Sequence, residues 1–433
     1  MTDGRRRTIN VDYLARVEGE GALTIVLEGG RAKEVRLRIF EPPRFFEAFL
    51  RGRGALEAPD ITSRICGICP MAYITSACNA VEAAFGIALE PGHRALRRLM
   101  YCGEWVESHA LHVFMLHAPD FLGYPDALAM AKEHPDLVRT GLRIKKAGNS
   151  IVALIGGREV HPVNVRVGGF YRAPTRAELA SLAPELTWAR EAARETVARL
   201  AAFSFPQLER DYDFVALRDP SGRYPIENGR VVSTSGLDLA ADEYPAHFVE
   251  EQVPYSTALH SRRIGGGAYV CGPLARFNSN AERLSPVALE AARAAGLAPP
   301  VRNPFKGLLV RAIEIVYALD EALRIIGEYA PPSRPFVDAP PRAAVGHGVS
   351  EAPRGLLYHR YAIDEAGTIR EARIVPPTSQ NQRSIEEDLA ELAPVLASLP
   401  HADATWRAEQ AVRNYDPCIS CSTHFLRLRI EGA

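Results

Sequence analysis

Two Cys-x-x-Cys pairs stand almost a full chain apart, Cys66 with Cys69 near the start and Cys418 with Cys421 near the end. If both pairs serve one site, that site knits the two ends of a large fold together. Taken alone, the first pair is ambiguous: half of a zinc site, a redox dithiol, half of a rarer metal site, or two neighbouring buried thiols. The second pair lies in DPCISCSTH, with His424 three residues behind it. Four thiolates are soft ligands suited to zinc, nickel or iron. Zinc ribbons and fingers usually staple a small loop that lacks its own core. Here nearly the whole chain separates the pairs, which favours a functional site held by a pre-existing core. No βαβ pattern surrounds Cys66, as a thioredoxin-like dithiol would need. Cys78, Cys102 and Cys271 read as buried small hydrophobes.

Length and composition set the scale of that core. The 433 residues are 47% hydrophobic and 24% charged, enough for a large globular interior. Lys+Arg 51 against Asp+Glu 52 leaves a net charge of −1, so no global field draws the chain to nucleic acid or to an anionic membrane. No stretch reaches the about 18 to 20 unbroken apolar residues of a membrane span. Arg5, Arg6 and Arg7 read as a solvated basic start, because the residues after them carry charges where a targeting signal needs an apolar segment. An odd number of cysteines, seven, argues for reduced thiols in a cytoplasmic protein.

The expected fold class is α+β and predominantly α: a core of long helices with small peripheral β-hairpins, in one domain over residues 1–433. Ala22 to Phe40 alternates about a Gly-Gly turn and predicts a hairpin. Apolar spacing of three and four predicts helices over 92–116, 178–203 and 306–329. Strands are expected at Gly355–Ile363 and Ile369–Val375, joined by a turn at Asp364–Gly367. A last helix is expected from Ile385 to Leu399, before Pro400. Residues 205–300, rich in Pro, Gly and Asn, read as an irregular excursion with short elements.

Seven blocks in order carry a resemblance to a known family: RVEGEG (16–21), RFFEAFLRGR (44–53), RICGIC (64–69), GGREVHPVNVRVGG (156–169), EAPRG (351–355), PPTSQN (376–381) and DPCISCSTH (416–424). The ordered set resembles the large, catalytic subunit of nickel–iron hydrogenases, and PPTSQNQ with the DPCISCSTH ending is most similar to the cytoplasmic NAD(P)-coupled members, including sulfhydrogenase alpha subunits. The respiratory complex I subunit of the same descent lacks the metal-binding cysteines, and this chain has all four.

The resemblance implies that Cys66 and Cys418 are terminal nickel ligands, and that Cys69 and Cys421 bridge to an iron carrying carbonyl and cyanide. Glu18 matches the family's proton-relay glutamate, a role that suits a carboxylate whose pKa burial lifts. Cys418 is the expected base in heterolytic H2 cleavage. Arg354 matches the arginine over the metals, and Thr378 or its neighbour Ser379 would give a hydroxyl to a cyanide. Glu47, the carbonyl of Ile374 and His424 would hold a structural Mg2+. His161 and Asp120 match supporting positions near the core. Tyr73 stands where members usually place a histidine within hydrogen-bond reach of a cysteine sulfur; a tyrosine there can tune a thiolate without serving as an ordinary proton carrier.

The resemblance also implies removal of residues 425–433, after His424, by a maturation protease. No Gly-x-Gly-x-x-Gly opens a helix after a strand, so electrons are expected to leave through partners: a small subunit with iron–sulfur clusters, then a flavin-containing NAD(P)-linked module. The rival readings are a non-catalytic electron-transfer or assembly scaffold and a structural four-thiolate zinc protein.

Overall fold

A computed structural model of the chain describes residues 6–42 and 44–424. Strands β1 (Arg6–Val11), β2 (Gly21–Glu28) and β3 (Arg31–Ile39) form an antiparallel sheet in that order. β2 and β3 are the expected hairpin about Gly29-Gly30. β1 departs from the reading of a solvated basic start at one residue: Arg6 is exposed, Arg7 Nη1 donates to the Leu399 carbonyl at 2.8 Å, and Arg5 lies outside the described residues.

Helix α1 (Pro70–Phe85) follows directly on Cys69. Its first residue, Pro70, has no N–H to leave unsatisfied. Helices α2 (Pro91–Ala110), α3 (Pro135–Gly156), α4 (Ala183–Ala201) and α5 (Gly307–Glu328) build the bundle, with α2 against α3 and α5 against both α2 and α4. α5 is its centre, buried on every face through Leu308, Val310, Ile313, Ile315, Val316 and Leu319. α2 and α3 touch backbone to backbone, because a Cβ at Gly103 would lie 2.8 Å from the Gly148 carbonyl oxygen. α2 continues as a π-helical stretch, Leu111–His117.

Strands β4 (Ala344–Ala352), β5 (Gly355–Ile363) and β6 (Ile369–Val375) form the second three-stranded sheet, and α1 packs on β4 and β5. β5, β6 and their turn are as expected, whereas β4, interrupted by Gly346 and Gly348, was not. Helix α6 (Pro377–Glu391) begins eight residues before the expected Ile385. The predicted single helix to Leu399 is broken, because Pro394 starts a separate turn, Ala393–Ser398. Pro400 then leads into an unexpected helix, His401–Arg413, since proline is tolerated at a helix entrance. The 178–203 helix is likewise two, Arg176–Ala180 and α4, divided before Pro184. The excursion at 205–300 holds short elements, as expected, among them Leu259–Arg263 and Pro273–Asn280. The proposed cleavage segment 425–433 lies outside the described residues.

Candidate metal centre

The four cysteines meet. Their sulfurs all lie within 4.8 Å of one another, and all four residues are buried. Cys66 comes at the end of a turn after the short helix Ala58–Ser63, and Cys69 flanks α1. Cys66 Sγ accepts the amide N–H groups of Ile68 at 3.3 Å and Cys69 at 3.2 Å, which fixes the loop. Cys418 Sγ lies 3.5 Å from Cys66 Sγ and 2.7 Å from Cys421 Sγ. Hydrogen bonds from Cys418, Cys421 and Cys69 hold the Cys66 thiol well below its ordinary value, while burial pushes Cys418 and Cys421 up.

Glu18 is brought to this cluster by the N-terminal segment, which runs parallel to the last one. Ile419 N donates to the Glu18 carbonyl at 2.9 Å. The Glu18 carboxylate Oε2 lies 3.1 Å from Cys418 Sγ and accepts Ser420 N at 3.0 Å. Ser420 Oγ in turn donates to Glu41 Oε2 at 2.9 Å. Gly19 makes room for this arrangement: a Cβ there would stand 2.6 Å from Glu41 Oε2.

Asp120 ties the same two segments from behind. It accepts Arg413 Nε at 2.8 Å and Arg16 Nη2 at 2.5 Å, with His117 Nδ1 at 3.0 Å. Burial works against its charge, but His117 and Arg413 outweigh it and hold the carboxyl well below the usual range.

Arg354 sits in the turn between β4 and β5, buried with Asp416. Its Nε donates to the Asp416 carbonyl at 2.7 Å and its Nη2 to Oδ1 at 3.2 Å. Arg354 Nη1 and Asp416 Oδ2 have no hydrogen-bond partner among the described residues. Thr378 Oγ1 accepts Cys418 N at 3.0 Å, whereas Ser379 Oγ turns to the Pro376 carbonyl at 2.9 Å. Of the two hydroxyls, that of Thr378 is therefore beside the cluster.

Tyr73 is buried on α1, and its ring tilts against His359 with centroids 5.8 Å apart. Its hydroxyl makes no hydrogen bond among the described residues, unlike the sulfur contact expected at this position. Burial, then the charge of Cys421 and the other thiols, pushes its pKa well up. His161 stands further out, its Nδ1 2.8 Å from the Ser63 carbonyl, where it braces the turn that leads to Cys66.

A second cavity adjoins the cluster, lined by Glu47, Ile374, His424, Glu250 and Cys421 among others. His424 Nε2 lies 3.1 Å from Glu47 Oε2. Ile374 takes part through its amide N–H, which donates to Glu47 Oε1 at 2.8 Å. Glu250 supplies a further buried carboxylate that sequence reasoning missed, from inside the excursion. Asp416 was also missed, although it opens the second cysteine motif.

Four thiols gathered at one point suit a soft or borderline metal such as zinc, nickel or iron. The unpartnered guanidinium nitrogen of Arg354 suits small anionic ligands on such a metal. Carboxylates beside a histidine suit a hard cation with water in its shell.

Comparison with known proteins agrees with this geometry. The family model for nickel-dependent hydrogenase matches residues 44–140 and 325–424. The alpha subunit of sulfhydrogenase 2 of Pyrococcus furiosus is 36% identical over 429 residues, covering 97% of this chain and 100% of that protein. The beta subunit of the NAD-reducing hydrogenase HoxS of Cupriavidus necator is 28% identical, with 97% and 95% covered. The solved structure of an NAD+-reducing [NiFe]-hydrogenase in the H2-reduced state superposes with a TM-score of 0.87 at 27% identity, over 96% of this chain and 99% of that one. The chain belongs to the nickel-dependent hydrogenase family as a large subunit, and it is an enzyme of the nickel–iron hydrogenase kind.

Proposed function

We propose that this subunit cleaves H2 heterolytically at a nickel–iron centre held by Cys66, Cys69, Cys418 and Cys421, and that it passes electrons through an iron–sulfur partner toward NAD(P)+. The observation that carries this reading is Glu18 Oε2 lying 3.1 Å from Cys418 Sγ within a buried four-thiol cluster. A base and the group that relieves it of its proton are thus in contact. Bound there, the metal pair with carbonyl and cyanide on iron supplies the electron-pair acceptor. The chain's own residues move the proton. Cys418 Sγ receives it and Glu18 takes it over. Glu18 accepts the Ser420 amide N–H, and the Ser420 hydroxyl donates to Glu41, which is partly exposed beside Arg44.

In this reading Cys66 and Cys418 would hold nickel, and Cys69 and Cys421 would hold nickel and iron together. Arg354 and Thr378 would bind the cyanides, with Tyr73 buried beside the thiols. Asp120 and His161 fix the segments that carry the ligands. Mg2+ held by Glu47, His424 and the carbonyl of Ile374, with Glu250 beside it, would clamp the last residues to β6.

Several exposed apolar side chains of the N-terminal region support a partner surface: Tyr13, Phe40, Phe45, Phe49 and Leu56, with Phe49 61% exposed. Tyr13 and Phe40 meet edge to face at 6.5 Å. Arg44 Nη1, at the same place in the chain, donates to the Ile65 carbonyl next to Cys66 at 2.6 Å. A small subunit with iron–sulfur clusters is the partner proposed for this surface. The NAD-reducing relative and the NAD+-reducing solved structure support nicotinamide coupling. Seven free, buried cysteines suit a reducing, cytoplasmic setting, and among the described residues no helix is long and apolar enough to cross a membrane.

Elemental analysis of the matured subunit, separated from any iron–sulfur partner, tests this function. Nickel and iron in about equal amounts are expected from one bimetallic centre. Zinc alone would assign the thiols to a structural site, and no metal would assign the chain to the scaffold class.

A further inference from the structure

Cys69 flanks α1 at φ −119° and ψ 45°, and its side chain gives no hydrogen bond to the helix it precedes, because its sulfur belongs to the cluster. Pro70 has no N–H. The first donors of α1 are therefore Met71 N and Ala72 N, which no local residue satisfies. Both go to one side chain. Glu104, on α2, accepts Met71 N with Oε2 at 2.5 Å and Ala72 N with Oε1 at 3.1 Å.

Among the described residues no other group bonds the Glu104 carboxylate, yet it is 2% exposed, and burying a carboxylate costs several kcal/mol unless it is paired. The positive end of the α1 dipole and two N–H bonds offset that cost. Burial and the Glu107 carboxylate one turn along α2 push Glu104 up, while the two N–H bonds pull it back. Glu107 is held in turn by Lys145 Nζ of α3 at 3.0 Å, and the contact at Gly103 and Gly148 is what lets α3 come so close.

We propose that Glu104 is a positioning residue for the metal centre: it caps the first turn of α1 from a neighbouring helix and so fixes where Cys69 points its sulfur. The charge on both oxygens matters, because the two amides need two acceptors. Glu104→Gln keeps the shape but turns an NH2 toward one amide. The role rests on the reading of Cys69 as a metal ligand.

The experiment compares wild type and Glu104→Gln, as purified holoenzyme, by amide hydrogen exchange and infrared spectroscopy. The expected result is exchange at Met71 and Ala72 faster by about tenfold, the scale of one lost charge-assisted bond, with protection elsewhere in α1 and α2 unchanged. The carbonyl stretch shifts while nickel content stays at the wild-type level. Glu107→Gln, which leaves both caps in place and removes the charge that opposes ionised Glu104, does not speed exchange at these two amides. Should Glu104→Gln not accumulate, Glu104→Asp keeps the charge one methylene short, and the same changes are expected in smaller size. Unchanged exchange and an unchanged stretch in the Glu104 variant would overturn the proposal, as would loss of protection spread evenly over the bundle. If wild type itself shows no carbonyl stretch, the hydrogenase reading fails, and exchange at the two amides still decides the cap.

Discussion

Among the described residues three non-glycine residues hold φ in the left-handed region, Arg16 at 58°, His161 at 51° and Asp416 at 50°, and each holds a segment that carries a residue of the site. Arg16 stands two residues before Glu18, Asp416 two before Cys418, and His161 braces the turn before Cys66. Such backbone is costly for a side-chain-bearing residue and persists where surrounding bonds over-determine it. Asp120 supplies them for Arg16, and Arg354 for Asp416. Held this way, Glu18 has one short contact to a cysteine sulfur, and its substitution separates proton transfer from metal binding. Glu18→Gln is expected to lower H2 turnover by about 10²- to 10⁴-fold with nickel content unchanged. Loss of nickel in that variant would mean that Glu18 holds the metal. The cysteines, Glu18 and Arg354 were legible because each sits in a short motif. Glu250, Glu41 and Glu104 were not, since their partners come from remote segments: Glu104 meets α1 from 32 and 33 residues away. The one local hint at Glu104 was an acidic residue inside an apolar helical run.

At the scale of elements, the helices are cross-linked through buried charge as well as apolar packing. Arg276 of the helix Pro273–Asn280 reaches both Glu314 of α5, at 2.7 Å, and Glu351 of β4, at 3.0 Å, while His109 Nε2 of α2 lies 2.9 Å from Glu314. Burial pushes Glu314 up, but Arg276 and His109 outweigh it and hold it down to about 2. A depressed carboxyl stabilises the fold fully above its ordinary value of 4.5 and loses that contribution as the pH falls toward 2. Glu314→Gln is therefore expected to destabilise the protein by about 3–5 kcal/mol near neutral pH, read by urea unfolding. The gap to wild type should narrow below pH about 4.5. An equal gap at pH 3 and pH 7 would contradict the sign. Periodicity revealed the long helices because their apolar faces are continuous. It failed where prolines divide a periodic run, as before Pro184 and around Pro394, and at β4, where two glycines remove the alternation that marks a strand.

At the scale of the molecule, the fold solves the problem posed by two cysteine pairs at opposite ends. The N-terminal segment pairs with the last one at Glu18 and Cys418, Asp120 clamps Arg16 to Arg413, and the bundle carries the Cys66 turn to the same point. The meeting of the ends was legible from the spacing of the pairs together with the resemblance. The second cavity around Glu47 and Glu250 was only half legible, because one of its carboxylates comes from the excursion that showed no periodicity. Infrared spectroscopy of the matured protein tests the nickel–iron centre most directly. Bands of metal-bound carbonyl and cyanide that shift when H2 replaces an inert gas are expected; a matured protein without such bands would contradict a nickel–iron centre at these four cysteines.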